Sequence, residues 1–87
     1  MQIKLNTIED VKNFVTICTR YSSSYIDVKQ GRQVINGASI LGIFSLDLLK
    51  PLKVSIDDDN DNRKIGFYND IQKWKIRDDV QMPVSLA

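Results

Sequence analysis

The stretch Val34–Asp47 constrains this chain more than any other. Val34 and Ile35 are β-branched and strand-forming. Asn36-Gly37 is a turn-forming pair, and Ser39 stands before a run in which Ile40, Leu41, Ile43, Phe44 and Leu46 are apolar. The backbone therefore passes from strand to helix within a few residues. Ser39 is placed to cap that helix, because its hydroxyl can accept one of the free N–H groups of the first turn. The same N–H groups and the positive end of the helix dipole would accommodate a phosphate on Ser39. The helix is too short for one inward stripe to hold five large apolar side chains. Some of them are expected to face a partner, with Ile40, Leu41 and Phe44 as the candidates.

The remaining elements follow from periodicity. Gln2–Leu5 puts Ile3 and Leu5 on one face of a short strand. Asn6 and Thr7 supply capping side chains, and Asn6 with Glu9 has the spacing of a capping box. A helix is predicted from Ile8 to Arg20, with Ile8, Val11, Phe14, Val15, Cys18 and Tyr21 inward. Tyr25–Lys29 and Gln33–Asn36 alternate around a turn at Gln30-Gly31-Arg32, as in a hairpin. Pro51 stops helix, and Leu52–Ile56 alternates as a fourth strand. After the polar loop Asp57–Asn62, a last helix is predicted over 62–75, with Ile65, Tyr68, Ile71 or Gln72, and Trp74 inward. Phe67, Tyr68 and Trp74 read as core and its edge. Residues 1–75 form one domain and 76–87 a tail. The order strand, helix, strand, strand, short helix, strand, helix predicts an α+β two-layer domain. Lys4, Asp27, Lys29, Lys53 and Ser55 are its outward sheet residues.

Composition narrows the chemistry. The 87 residues suit a single small domain, and a net charge of +1 gives no field to attract nucleic acid or an anionic membrane. No segment reads as a signal peptide or membrane span, since Met1–Leu5 is short and alternating. The one cysteine, Cys18, falls on a predicted apolar face and is expected to be a buried thiol of a cytoplasmic protein. Histidine is absent, which excludes a Ser-His-Asp triad, a Cys-His pair and most zinc sites. Asp57, Asp59 and Asp61 have the alternate spacing of a calcium loop. The sixth position is Asn62 rather than Gly and the twelfth Tyr68 rather than Glu, so neither metal nor cofactor is expected.

The segment Ala38-Ser39-Ile40-Leu41-Gly42 resembles the Lys-Ser-Ile-Met-Gly segment of the HPr phosphocarrier proteins of the sugar phosphotransferase system. The order of elements from about Ile3 to Trp74 agrees as well. The resemblance implies an HPr-like open-faced sandwich, a four-stranded antiparallel sheet with three helices on one face. In that family a His-Ala-Arg-Pro motif opens the first helix, and its histidine carries phosphate. Here the place reads Asn6-Thr7-Ile8-Glu9-Asp10, so Thr7 and Glu9 lie in a degenerate phosphoacceptor region. A phosphothreonine ester at Thr7 is too stable to pass phosphate on, and an acyl phosphate on Glu9 or Asp10 has no visible magnesium site. The expectation is a protein without enzymatic activity or histidine phosphotransfer. Ser39 corresponds to the serine that HPr kinase/phosphorylase modifies, and Ile40, Leu41 and Phe44 to the family's docking patch. The implied partners are that kinase or a transcriptional regulator. The alternatives are a phosphocarrier with another acceptor, or a degenerate interaction module, monomeric or weakly dimeric through its first strand or the apolar patch.

Overall fold

The computed structural model describes residues 1–76. Their order is β1 (Gln2–Ile3), α1 (Ile8–Arg20), β2 (Tyr25–Gln30), β3 (Gln33–Asn36), α2 (Ile40–Phe44), β4 (Leu52–Asp57) and α3 (Asp61–Asp70), followed by a 3₁₀ turn at Gln72–Trp74. The four strands form one antiparallel sheet in the spatial order β1-β4-β2-β3. The helices cover one face, which gives the α+β open-faced sandwich. The chain leaves β1, crosses in α1, and enters β2 with a gap that β4 later fills.

The register sorts the side chains. Ile26 faces Ile56, Val28 faces both Val54 and Ile35, and Ile3 faces Leu52. These rows point toward the helices, and all but the half-buried Ile35 are buried. The alternate rows pair Asp27 with Ser55 and Lys29 with Lys53, which are four of the predicted outward residues; the fifth, Lys4, lies past the end of β1 and not in the sheet. Gly31, at φ +60°, makes the two-residue turn between β2 and β3, a conformation that L side chains rarely adopt.

α1 differs from the sequence reading at its cap. Thr7, not Asn6, is the N-cap: its Oγ1 accepts from the Asp10 N–H at 3.0 Å. Asp10 Oδ2 reciprocates by accepting from the Asn6 N–H at 3.1 Å, which holds the Asp10 carboxyl below its ordinary pKa. Ile8 becomes the first helical residue and stands 65% exposed rather than in the core. Ile17 is buried instead, beside Val11, Phe14 and Cys18, while Val15 and Tyr21 only flank the core.

The last helix also departs from expectation. Asn60 caps it by accepting from the Arg63 N–H at 3.0 Å. It ends at Asp70, after Asn69-Asp70, both weak helix formers. The 3₁₀ turn then carries Trp74 into the core, where its ring meets Phe14 edge-on at 6.0 Å. Lys75 pairs with Ile3, the Lys4 N–H donates to Trp74 O at 3.0 Å, and the Ile76 N–H to Gln2 O at 3.1 Å. The outer edge of β1 is thus covered by the chain itself. Apart from Ile76, the tail expected over 76–87 lies outside the described residues. Within α3 the phase is shifted: Phe67 is fully buried, Ile71 follows it inward, and Ile65 is 57% exposed.

Asp58 ties the β4–α3 loop to the turn after α1. It accepts from Arg63 Nε at 2.7 Å and Nη2 at 3.3 Å, from the Asn60 N–H at 2.7 Å, and from Ser24 Oγ. The Arg63 guanidinium, then Ser24 and the Asn60 N–H, hold its carboxyl far below the ordinary 3.8. A folded-state pKa below the unfolded one adds stability that is full above about pH 4 and fades as pH falls further. Asp58→Asn is therefore expected to lower Tm at neutral pH and to lessen the loss of stability between roughly pH 4 and pH 2. Urea midpoints of both chains across that range check this, and parallel acid limbs would refute it.

Candidate functional site around the short second helix

The Asn36 side chain fixes the entry to α2, its Oδ1 accepting from the Ala38 N–H at 2.8 Å. The Ser39 N–H donates to Asn36 O at 3.0 Å, and Ser39 Oγ accepts from the Gly42 N–H at 3.2 Å. Ser39 is thus the N-cap, with its hydroxyl exposed. A Cβ on Gly42 would lie 2.5 Å from Ile35 Cγ2, so glycine there lets α2 sit directly on β3. This seating decides the phase of the helix. Ile43 and Leu46 turn into the core, while Ile40, Leu41 and Phe44 face outward at 37%, 80% and 40% exposure.

The connector after α2 is clasped from a distance. Gln30, at the tip of the β2–β3 hairpin, accepts from the Asp47 N–H and donates to Asp47 O, both at 2.8 Å. Asp47 Oδ1 in turn accepts from the Leu49 N–H at 3.1 Å. Leu49 is left 84% exposed next to the N-terminus of α1. Together Lys4, Asn6, Thr7, Ile8, Phe44 and Leu49 line a groove of about 190 Å³, with Leu5 and Leu48 also in its wall.

The two regions singled out in the sequence therefore meet. Thr7 lies in the groove with Phe44, and Ile40 and Leu41 continue the apolar flank along α2. Glu9 is exposed and does not line the groove. Ser39 sits at the far end of α2, about 7 Å along its axis from Phe44. Sequence reasoning missed Ile8 and Leu49. Helical spacing alone places Ile8 in the core, although a residue directly after an N-cap threonine starts the first turn at the helix end. Leu49 had one signal, an apolar residue inside a turn that ends in Lys50-Pro51.

Two other depressions are more polar or closed by their own contacts. One of about 290 Å³ is lined by Ser23, Tyr25, Asp57, Asp58, Asp59 and Arg63, and the Arg63 charge in it is spent on Asp58. The other, of about 220 Å³, has Cys18 in its wall. Burial pushes the Cys18 thiol up to about 12, so it stays protonated and unreactive near neutral pH. Among the described residues no three His, Cys, Asp or Glu side chains gather at metal-binding distance. None of the described helices is long and apolar enough to cross a membrane. Compared with known proteins, the chain matches no family model, no curated protein and no solved structure.

Proposed function

We propose that this chain is a non-enzymatic, protein-binding module of the HPr-like type, acting in the bacterial cytoplasm without histidine phosphotransfer. The observation that carries this reading is the groove that Ile8, Phe44 and Leu49 share at the junction of α1 and α2, with Ile40 and Leu41 exposed on the same short helix as Phe44. Apolar patches on small domains commonly mark partner sites. Ser39 is the regulatory position. Its hydroxyl is exposed at the N-terminus of α2, and a phosphate there adds about −1.5 to −2 charges beside the docking residues. Thr7, although in the groove, is committed to the Asp10 N–H as a cap and lacks the chemistry to relay phosphate. The partner is an HPr kinase/phosphorylase or a transcriptional regulator. Dimerisation through β1 is disfavoured because Lys75 occupies its outer edge.

Parallel phosphorylation tests this reading. The purified chain is treated with enzyme I and phosphoenolpyruvate, and separately with HPr kinase and ATP, and intact mass is recorded. One phosphate from the kinase alone, absent in Ser39→Ala, is the expected result. The alanine variant loses only a cap, about 1 kcal/mol, and stays folded. Label from enzyme I would establish a phosphocarrier with a non-histidine acceptor. Label from neither would remove the serine switch.

A further inference from the structure

Asn36-Gly37 is a chemically labile pair in an extended or disordered chain. The glycine amide nitrogen, once deprotonated, attacks the side-chain carbonyl carbon of the asparagine. Ammonia leaves as a five-membered succinimide closes, and water then opens that ring to aspartate or isoaspartate. Glycine favours the reaction because no side chain shields the attacking nitrogen.

In this fold both partners are held. The Gly37 N–H donates to Ile26 O at 2.9 Å, and Gly37 itself is buried although Asn36 is exposed. A Cβ at Gly37 would lie 2.7 Å from Ile26 Cγ2 and 2.9 Å from Cys18 Sγ, which shows how tightly β2 and α1 enclose it. The Asn36 amide oxygen is engaged by the Ala38 N–H. Hydroxide therefore reaches the Gly37 proton only when the β3–α2 junction opens.

We propose that Asn36-Gly37 is a latent self-modification site, closed by the native fold and fired by local opening of the junction that carries α2. Its two products differ in consequence. Aspartate keeps an oxygen for the Ala38 N–H, so the junction closes again. Isoaspartate lengthens the main chain by a methylene between residue 36, which is paired with Asp27, and Gly37, whose N–H is bonded to Ile26 O, so both ends cannot keep their present partners. Chains that react by that route are barred from re-forming the junction.

Deamidation at Asn36 is followed by peptide mass mapping, with isoaspartate read by enzymatic methylation, at mildly alkaline pH. The full chain is compared with a synthetic peptide spanning residues 33–41. The native chain is expected to react at least about tenfold more slowly than the peptide. Urea below the unfolding midpoint should raise the Asn36 rate in step with hydrogen exchange of the Gly37 amide, because base removes the same proton in both. Equal rates in chain and peptide would overturn the protection. So would deamidation that stays constant while Gly37 exchange accelerates. An Asn36→Asp variant should retain the native circular dichroism spectrum; its failure to fold would overturn the distinction between the two products.

Discussion

Replacing Phe67 by alanine is expected to remove about 3–5 kcal/mol of stability, a large share of what a domain of this size possesses. The ring is fully buried, meets Tyr21 edge-on at 5.3 Å and lies 5.7 Å from Tyr68. Its loss leaves a cavity between α3 and α1 that backbone on both sides cannot close. Ile65→Ala, two residues earlier on the same helix, is expected to change stability by less than about 0.5 kcal/mol, because that side chain already faces water. Urea denaturation of the two variants decides the orientation of α3. Similar losses for both, or a larger loss for Ile65→Ala, would place the helix in the phase its sequence suggested and refute the packing described above.

The second large effect belongs to the docking surface. Ile40→Asp combined with Phe44→Asp is expected to leave the circular dichroism spectrum intact, since both side chains are more than a third exposed. The same double variant is expected to weaken binding to the partner by at least about 2 kcal/mol, roughly thirtyfold in Kd, because two charges would have to be desolvated against an apolar surface. Titration of HPr kinase into each chain, followed by amide line broadening in α2, measures it. Ile43→Asp is the contrasting variant. Its side chain is fully buried, and an unpaired carboxylate there is expected to unfold the domain. A double variant that collapses would show that Ile40 and Phe44 belong to the core. One that folds and binds normally would show that the apolar flank of α2 is not the interface. Either result leaves the phosphorylation of Ser39 open to its own test, since the modified hydroxyl lies at the other end of the helix.

The candidate site was only partly legible before folding. Ser39 as a cap and the surplus of apolar residues after it follow from local rules, since a five-residue helix has one inward side. That Thr7 and Phe44 share a groove, with Ile8 and Leu49 completing it, does not. It depends on α1 and the connector after α2 meeting across the sheet, and on Gln30 holding Asp47 from 17 residues away.

Local physical chemistry determined the order of elements, the hairpin turn at Gly31, the cap at Ser39, and the alternation of β2 and β4 that sends Ile26, Val28, Val54 and Ile56 inward. Those features depend on neighbours within a few residues, through backbone conformation and period. Tertiary structure alone decided the strand order, the pairing of Lys75 with Ile3, and the inward face of α3, whereas Val11, Phe14 and Cys18 of α1 turn inward as their spacing predicts. Ile65 and Phe67 stand about 200° apart around a helix, so only one of them can face the sheet. Both are apolar, and periodicity gives neither precedence. Tyr21 and Tyr68 beside Phe67, together with the turn that brings Trp74 onto Phe14, make the choice, because close packing rewards the arrangement that leaves no void between remote segments.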